Sequence, residues 1–281
     1  MRGRHACAMA VRAPDQRILV ETELLGSPRR DWLARTPFLR GLMILWDALA
    51  LGVRGLTYSA RIQAGEDEPL DRKSLTFSMV VSLSIGMALF FLFPAGVAYA
   101  SERWLGLPTW SAGFFEGLVR LALLVGYIAA IGTLPEIARV YAYHGAEHMT
   151  INAYESGAAL EVDAIAAFPR EHSRCGTAFL LTVALLSILL FGLIGPLPLL
   201  TRLLSRLLLI PLVAALAYEL IRLTSRYPDA WWARLLLAPN LALQGLTTRV
   251  PEQAMIEVAL AAFRALRAAE VSSQPPASSS G

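Results

Sequence analysis

His144 and His148 stand four residues apart in the segment TLPEIARVYAYHGAEHMTINAYESG, with Glu147 one residue before the second histidine. On a 3.6-residue period this spacing places both imidazoles on one helix face, where their nitrogens can reach a single metal ion. Downstream, EHSRCGT sets His172 and Cys175 three residues apart, a second pair at ligand spacing separated from the first by 23 residues. Together His144, His148, His172 and Cys175 form a candidate ligand set, and a divalent metal, zinc above all, suits such nitrogen and sulfur donors. Four protein ligands would saturate tetrahedral zinc in a structural site; three would leave a position for water and catalysis. The spacing admits both.

The pattern H-x-x-E-H is also that of the inverzincin metallopeptidases, which makes Glu147 the candidate general base. Asn152 and Glu155, one and two turns beyond His148, suit contacts to substrate or to the ligands. Arg170 and Arg174 beside the second cluster could bind a phosphate or headgroup, and equally could anchor the chain at a membrane surface. Glu219, at the end of an apolar run, should face protein and pair with Arg222 or the site. Two other readings fit the same residues: histidines that merely hydrogen-bond neighbouring helices around a small buried cysteine, and a metal-free Cys–His or carboxylate site.

The elements that must position these groups are helices. Thr133 with Glu136 three residues later reads as a capping box, with Pro135 in the first turn, and predicts a helix ending near Gly157. Leu75 to Ala100 is 26 residues without a charge, longer than the roughly 20 that cross a hydrocarbon core. Gly117–Leu134, whose Arg120 could snorkel, Ala178–Leu200 and Leu203–Leu220, with Arg206 and Glu219 near its ends, complete an expected set of about four spans. Trp104, Trp110, Trp231 and Trp232 flank them, as amphipathic rings do at headgroup depth. Before the spans, Ala6–Val11 and Ile18–Leu24 around Ala13-Pro14-Asp15-Gln16 predict a small hairpin. Thr36 and Pro37 start a helix on which Arg40, Asp47, Arg54 and Arg61 recur every seven residues, a polar stripe that suits a membrane interface or packing on the bundle.

The expected organisation is therefore a mainly α, integral membrane protein. A cytosolic hairpin region covers 1–35, an interfacial amphipathic helix and linker 36–74, and a four-helix membrane domain 75–224 with a cytosolic connection at 135–177. Amphipathic helices on or beside the bilayer follow over 225–270, with a disordered tail at 271–281. With 56% hydrophobic and 17% charged residues in 281, the chain is too apolar for an ordinary soluble domain. A net charge of +3, spread at the ends of apolar runs, excludes a clustered nucleic-acid footprint and points to membrane lipids as partners, alongside a homo-oligomer or another membrane protein. Twelve Lys or Arg precede Leu75, one lies between the first two spans and three between the second and third, which places both termini and the His/Cys connection in the cytosol. There the two cysteines, Cys7 and Cys175, stay reduced. No apolar stretch follows the first charges, so the first span is expected to direct insertion.

PFLRGLMILWDALALGVRGLTYSA, RVYAYHGAEHMTINAYESG, FPREHSRCGTAFLL, SRLLLIPLVAALAYELIR and LALQGLTTRVPE, in this order and nearly end to end, resemble the YqhQ family of bacterial multi-pass membrane proteins. The resemblance implies a bacterial cytoplasmic (inner) membrane location, a cytosol-facing His, Glu and Cys constellation and a metal-dependent enzyme. Members usually carry a Gly-rich stretch resembling GGQAVIEGVMMRG, of which Met1-Arg2-Gly3 matches the end, and commonly a Lys where Met149 follows His148. The leading expectation is a metal-dependent hydrolase of a membrane-associated substrate. The alternative is a non-catalytic scaffold or assembly factor built on a structural metal or polar network. A transporter fits least, because the clear spans lack central charges and no paired broken helices announce a repeat.

Overall fold

The computed structural model describes residues 1–3, 5–25, 36–64, 72–173, 175–194 and 197–273. The disordered tail expected at 271–281 falls almost wholly outside them, as do Arg174 and part of the linker before the first span. Two strands, β1 (Ala6–Arg12) and β2 (Ile18–Leu24), pair antiparallel from Ala6–Leu24 to Arg12–Ile18, as the turn residues predict. Ala6 and Ala8 on the buried face of β1 pack against Leu266. The first helix, α1 (Leu39–Ala64), lies against the bundle: Arg40 pairs with Glu219, and the buried Asp47 accepts a hydrogen bond from Arg2 at 3.1 Å.

Among the described residues, three helical segments are long and apolar enough to cross a membrane by length and composition: Thr76–Leu105, Ser111–Ile131 and Leu199–Arg226. The first is α2 (Arg72–Met87), a π-helical turn over Ala88–Leu92, and α3 (Phe93–Leu105). Pro94, just inside α3, has no N–H for the carbonyl four residues back, and that carbonyl, on Phe90, accepts a hydrogen bond from Arg120 Nε at 2.9 Å. The second segment is α4 (Thr109–Ile131) and the third α8 (Leu199–Arg226). Of the span expected over 178–200, α7 (Thr177–Gly192) is about 24 Å long, shorter than a hydrocarbon core, and Leu199 and Leu200 already belong to α8. Ile188 of α7 seats on Gly117 of α4, where a Cβ would collide with it.

Arg120 does not snorkel, and Arg206 is no exposed end charge. Glu116 is fully buried and takes both: Arg206 donates from two nitrogens at 2.9 Å each, and Arg120 at 2.8 Å. Both guanidinium groups lie over the ring of Phe191, at 4.9 Å for Arg120 and 4.3 Å for Arg206. A charge that would be costly in an apolar bundle is thereby held among opposite charge, Ser187 and an aromatic face.

The remaining helices are α5 (Pro135–Glu155), the single turn α6 (Val162–Ile165), α9 (Trp231–Thr247) and α10 (Gln253–Ser272). No capping box starts α5: Leu134 is its N-cap, Pro135 fills its first position, and the Thr133 hydroxyl donates back to the Ala130 carbonyl at 2.6 Å. Its end is as expected, with Gly157 in the left-handed region at φ 75°. The C-terminal helices are built into the protein core. Ile256, Ala259 and Leu260 of α10 bury against Ala142, Ala146, Met149 and Ala153 of α5, and α9 packs on α7. This brings residues near 245 over the face of α5 that carries the histidines.

Candidate functional site

His144 and His148 project from one face of α5, one turn apart, with ring centroids 4.3 Å from each other. Each ring is held from behind by a backbone carbonyl. His144 Nδ1 lies 3.0 Å from the Thr247 oxygen at the end of α9, and His148 Nδ1 lies 2.7 Å from the Arg170 oxygen in the loop before α7. A carbonyl only accepts, so both Nδ1 atoms carry the proton and donate, which directs both Nε2 atoms to the same side. Cys175 is on that side: its Sγ is 3.3 Å from His144 Nε2, and one ligand atom each from His144, His148 and Cys175 lie within 4.8 Å of one another. Tetrahedral zinc with Zn–N about 2.1 Å and Zn–S about 2.3 Å needs nitrogen and sulfur about 3.6 Å apart, against 3.3 Å between His144 Nε2 and Cys175 Sγ here.

The thiol sits at the start of α7, where the Thr177 N–H points at Sγ from 3.4 Å and the Thr177 hydroxyl lies 3.1 Å away. Burial pushes the Cys175 thiol up, but hydrogen bonding to His144, His148 and Thr177 outweighs it and brings the pKa down to about 5. Burial pushes His144 the other way, yet the Cys175 partner, the Thr247 carbonyl and Glu147 more than offset it and its pKa rises. The two shifts run in opposite directions, the thiol toward its thiolate and the imidazole toward its protonated form.

Gly145 lets the chain after α9 come this close. A Cβ there would lie inside 3.0 Å of the Arg249 carbonyl oxygen, and the same approach brings the Arg249 N–H to the Tyr141 carbonyl at 3.0 Å. Gln244, fully buried, acts as a surrogate peptide for His172, accepting from its N–H at 2.8 Å and donating to its carbonyl at 3.0 Å. Asn152 donates to the carbonyls of Pro169 at 2.7 Å and Glu171 at 3.0 Å, which ties the same loop to α5.

The expected site residues therefore divide. His144, His148 and Cys175 converge, and Asn152 and the Arg170 backbone support them. His172 is buried beside them but turns its Nε2 to Glu155, 3.4 Å away. The Arg170 guanidinium lies 3.3 Å from Glu171. Glu147, half-exposed, faces away from the cluster, with a carboxylate oxygen 3.8 Å from the Met1 ammonium. Glu219 pairs with Arg40 rather than with Arg222 or the site. Thr247, Gln244 and Thr177 were not among the expected site residues, although Gln244 and Thr247 lie in the block LALQGLTTRVPE that carries part of the family resemblance.

Among known proteins, the chain is similar to the uncharacterized protein YqhQ of Bacillus subtilis (strain 168), with 33% identity over 287 residues that cover 97% of this chain and 90% of that one. No solved structure matches it. Residues 36–269, which include every residue of the His/His/Cys cluster and its supports, match the family described as protein of unknown function (DUF1385), and the chain belongs to this YqhQ family.

Proposed function

We propose that this is a multi-pass protein of the bacterial cytoplasmic membrane, with both termini cytosolic, that binds zinc through His144, His148 and Cys175 and hydrolyses a membrane-associated substrate. The observation that carries the reading is the pair of carbonyl contacts at Nδ1: two imidazoles oriented from behind present their free nitrogens to one thiol. Zinc held by three protein ligands keeps a fourth position for water and lowers the pKa of that water to about 7. His172 is then no ligand but part of the wall, with Glu155. Glu147, on the same helix as both histidines, is the carboxylate that would accept the proton, a role that requires its side chain to leave the Met1 ammonium and turn toward His148.

Elemental mass spectrometry of detergent-purified protein, prepared without a metal-binding tag, tests this. One zinc per chain is expected, lost in His148→Ala and Cys175→Ser and retained in His172→Ala and Glu147→Gln. Well-folded wild type that holds no metal after anaerobic loading would refute it.

A second reading rests on the 3.3 Å contact between Cys175 Sγ and His144 Nε2 together with the lowered thiol pKa. In it Cys175 is a nucleophile and His144, oriented by the Thr247 carbonyl, its proton partner. A metal-free protein that forms a covalent adduct with an electrophilic acyl probe at Cys175, and loses it on His144→Ala, would select this reading over the metal one.

A further inference from the structure

A cavity of about 520 Å³ starts at His144 and Thr177 and runs away from the candidate site between α4 and α7. Its walls are hydrocarbon and aromatic, among them Phe90, Leu124, Tyr127, Leu180 and Val183. Polar side chains gather at its two ends, His144, Thr177 and Thr247 at one and Arg120 with Ser187 at the other. Along α4 it extends from Arg120 to Ile131 and along α7 from Thr177 to Ser187, a length of about 15–17 Å at helical rise. The volume lies within the range of roughly 300–1,000 Å³ that holds small ligands.

The geometry points to a single hydrocarbon chain of a membrane lipid as the occupant, with its polar end at His144 and Thr177. The substrate class of the site would then be a long-chain amphiphile, an inference that rests on the hydrolase reading above. The walls expose almost no polar surface, the hydroxyls of Tyr127 and Tyr141 aside, and would leave most donors and acceptors of a soluble polar metabolite or an extended peptide unpaired at a cost of several kcal/mol. A hydrocarbon chain has none to pair. The side of the groove left open, beside the exposed Tyr127 and Leu180, runs along α4, which is long and apolar enough to cross a membrane, so the surroundings that reach it are lipid chains. The far end suits a terminal methyl rather than an anion, because each Arg120 nitrogen already donates within the protein, to the Phe90 carbonyl, Ser187 and Glu116, and Glu116 balances its charge. The near end opens on the atoms a headgroup linkage would have to meet: the ring of His144 lines the cavity, and its Nε2 contacts Cys175.

The test is photolabelling of full-length protein reconstituted in phosphatidylethanolamine–phosphatidylglycerol vesicles that contain a phospholipid with a diazirine near the end of one acyl chain. Mass mapping should find adducts on residues 120–128 and 180–187. Val183→Phe, or Val183→Trp if it folds, should lower that yield at least tenfold while labelling of the exposed face of α2, around Phe77 and Leu83, stays unchanged. Groove labelling that equals the α2 background, or that survives both Val183 variants, would overturn the inference, as would cross-links there to a second chain. Zinc content measured on the same samples separates the two proposals. Zinc present without groove labelling sinks the lipid groove alone; groove labelling without zinc sinks the metal reading and leaves a lipid-binding groove beside Cys175.

Discussion

Gly145→Ala sets two physical effects against each other. Inside a helix, alanine is favoured over glycine by about 1 kcal/mol, so on propensity the substitution stabilises α5. The structure predicts the opposite. The new methyl would fall inside 3.0 Å of the Arg249 carbonyl oxygen, which is backbone and cannot rotate away, so the chain after α9 must retreat by more than half an ångström. Overpacking of this kind costs about 1–3 kcal/mol. The retreat also stretches two hydrogen bonds from that chain to α5, Arg249 N–H to the Tyr141 carbonyl and His144 Nδ1–H to the Thr247 carbonyl, each worth about 1 kcal/mol net. With both bonds lost the sum is a net loss of roughly 2–4 kcal/mol, with the larger consequence at the site: once the carbonyl behind His144 is displaced, zinc affinity should fall about 10–100-fold. Thermal unfolding in detergent and zinc competition against a chromophoric chelator measure the two effects. Gly126→Ala is the control, since its Cβ would meet nothing within 4 Å. A Gly145→Ala protein as stable as Gly126→Ala, with wild-type zinc affinity, would refute the argument.

Three further outcomes follow from other contacts. A thiol with a pKa of about 5 rather than the ordinary 9.0 is thiolate throughout the neutral range, so alkylation of Cys175 in chelator-treated, folded protein should be nearly flat from pH 6 to 8. A rate that climbs tenfold per pH unit over that interval, or His144→Ala without effect on the profile, contradicts the assignment. Gln244→Ala withdraws a partner from both the N–H and the carbonyl of His172 and should destabilise the protein by roughly 1–3 kcal/mol for each bond lost, read by thermal unfolding; an unchanged melting temperature would count against the clamp. Glu116→Gln leaves the buried Arg120 and Arg206 without their shared counter-charge and should cost about 3–5 kcal/mol, whereas a loss below about 1 kcal/mol would mean that water or lipid phosphate reaches the pair.

Much of this protein is determined by its sequence alone, because the features concerned are local. The i, i+4 spacing puts His144 and His148 on one face of any helix, whatever surrounds it. Pro14 and Asp15 between two apolar stretches specify the hairpin, and uncharged runs such as Leu75–Ala100 specify helices for an apolar solvent. Only the tertiary structure decides what those faces meet. Cys175 rather than His172 joins the two histidines because Gln244, 72 residues further on, and Asn152 hold the loop so that His172 turns to Glu155. Glu147 sits beside His148 in sequence but its side chain leaves α5 on the face toward Met1, so adjacency in the motif is not convergence in space. Arg120 reads as an end charge until Glu116 and Arg206, 90 residues apart, close on it. Helical period is carried by the backbone and repeats wherever the chain is helical; the choice of a partner depends on which distant backbone atoms approach, and here the chain after α9 approaches at Gly145.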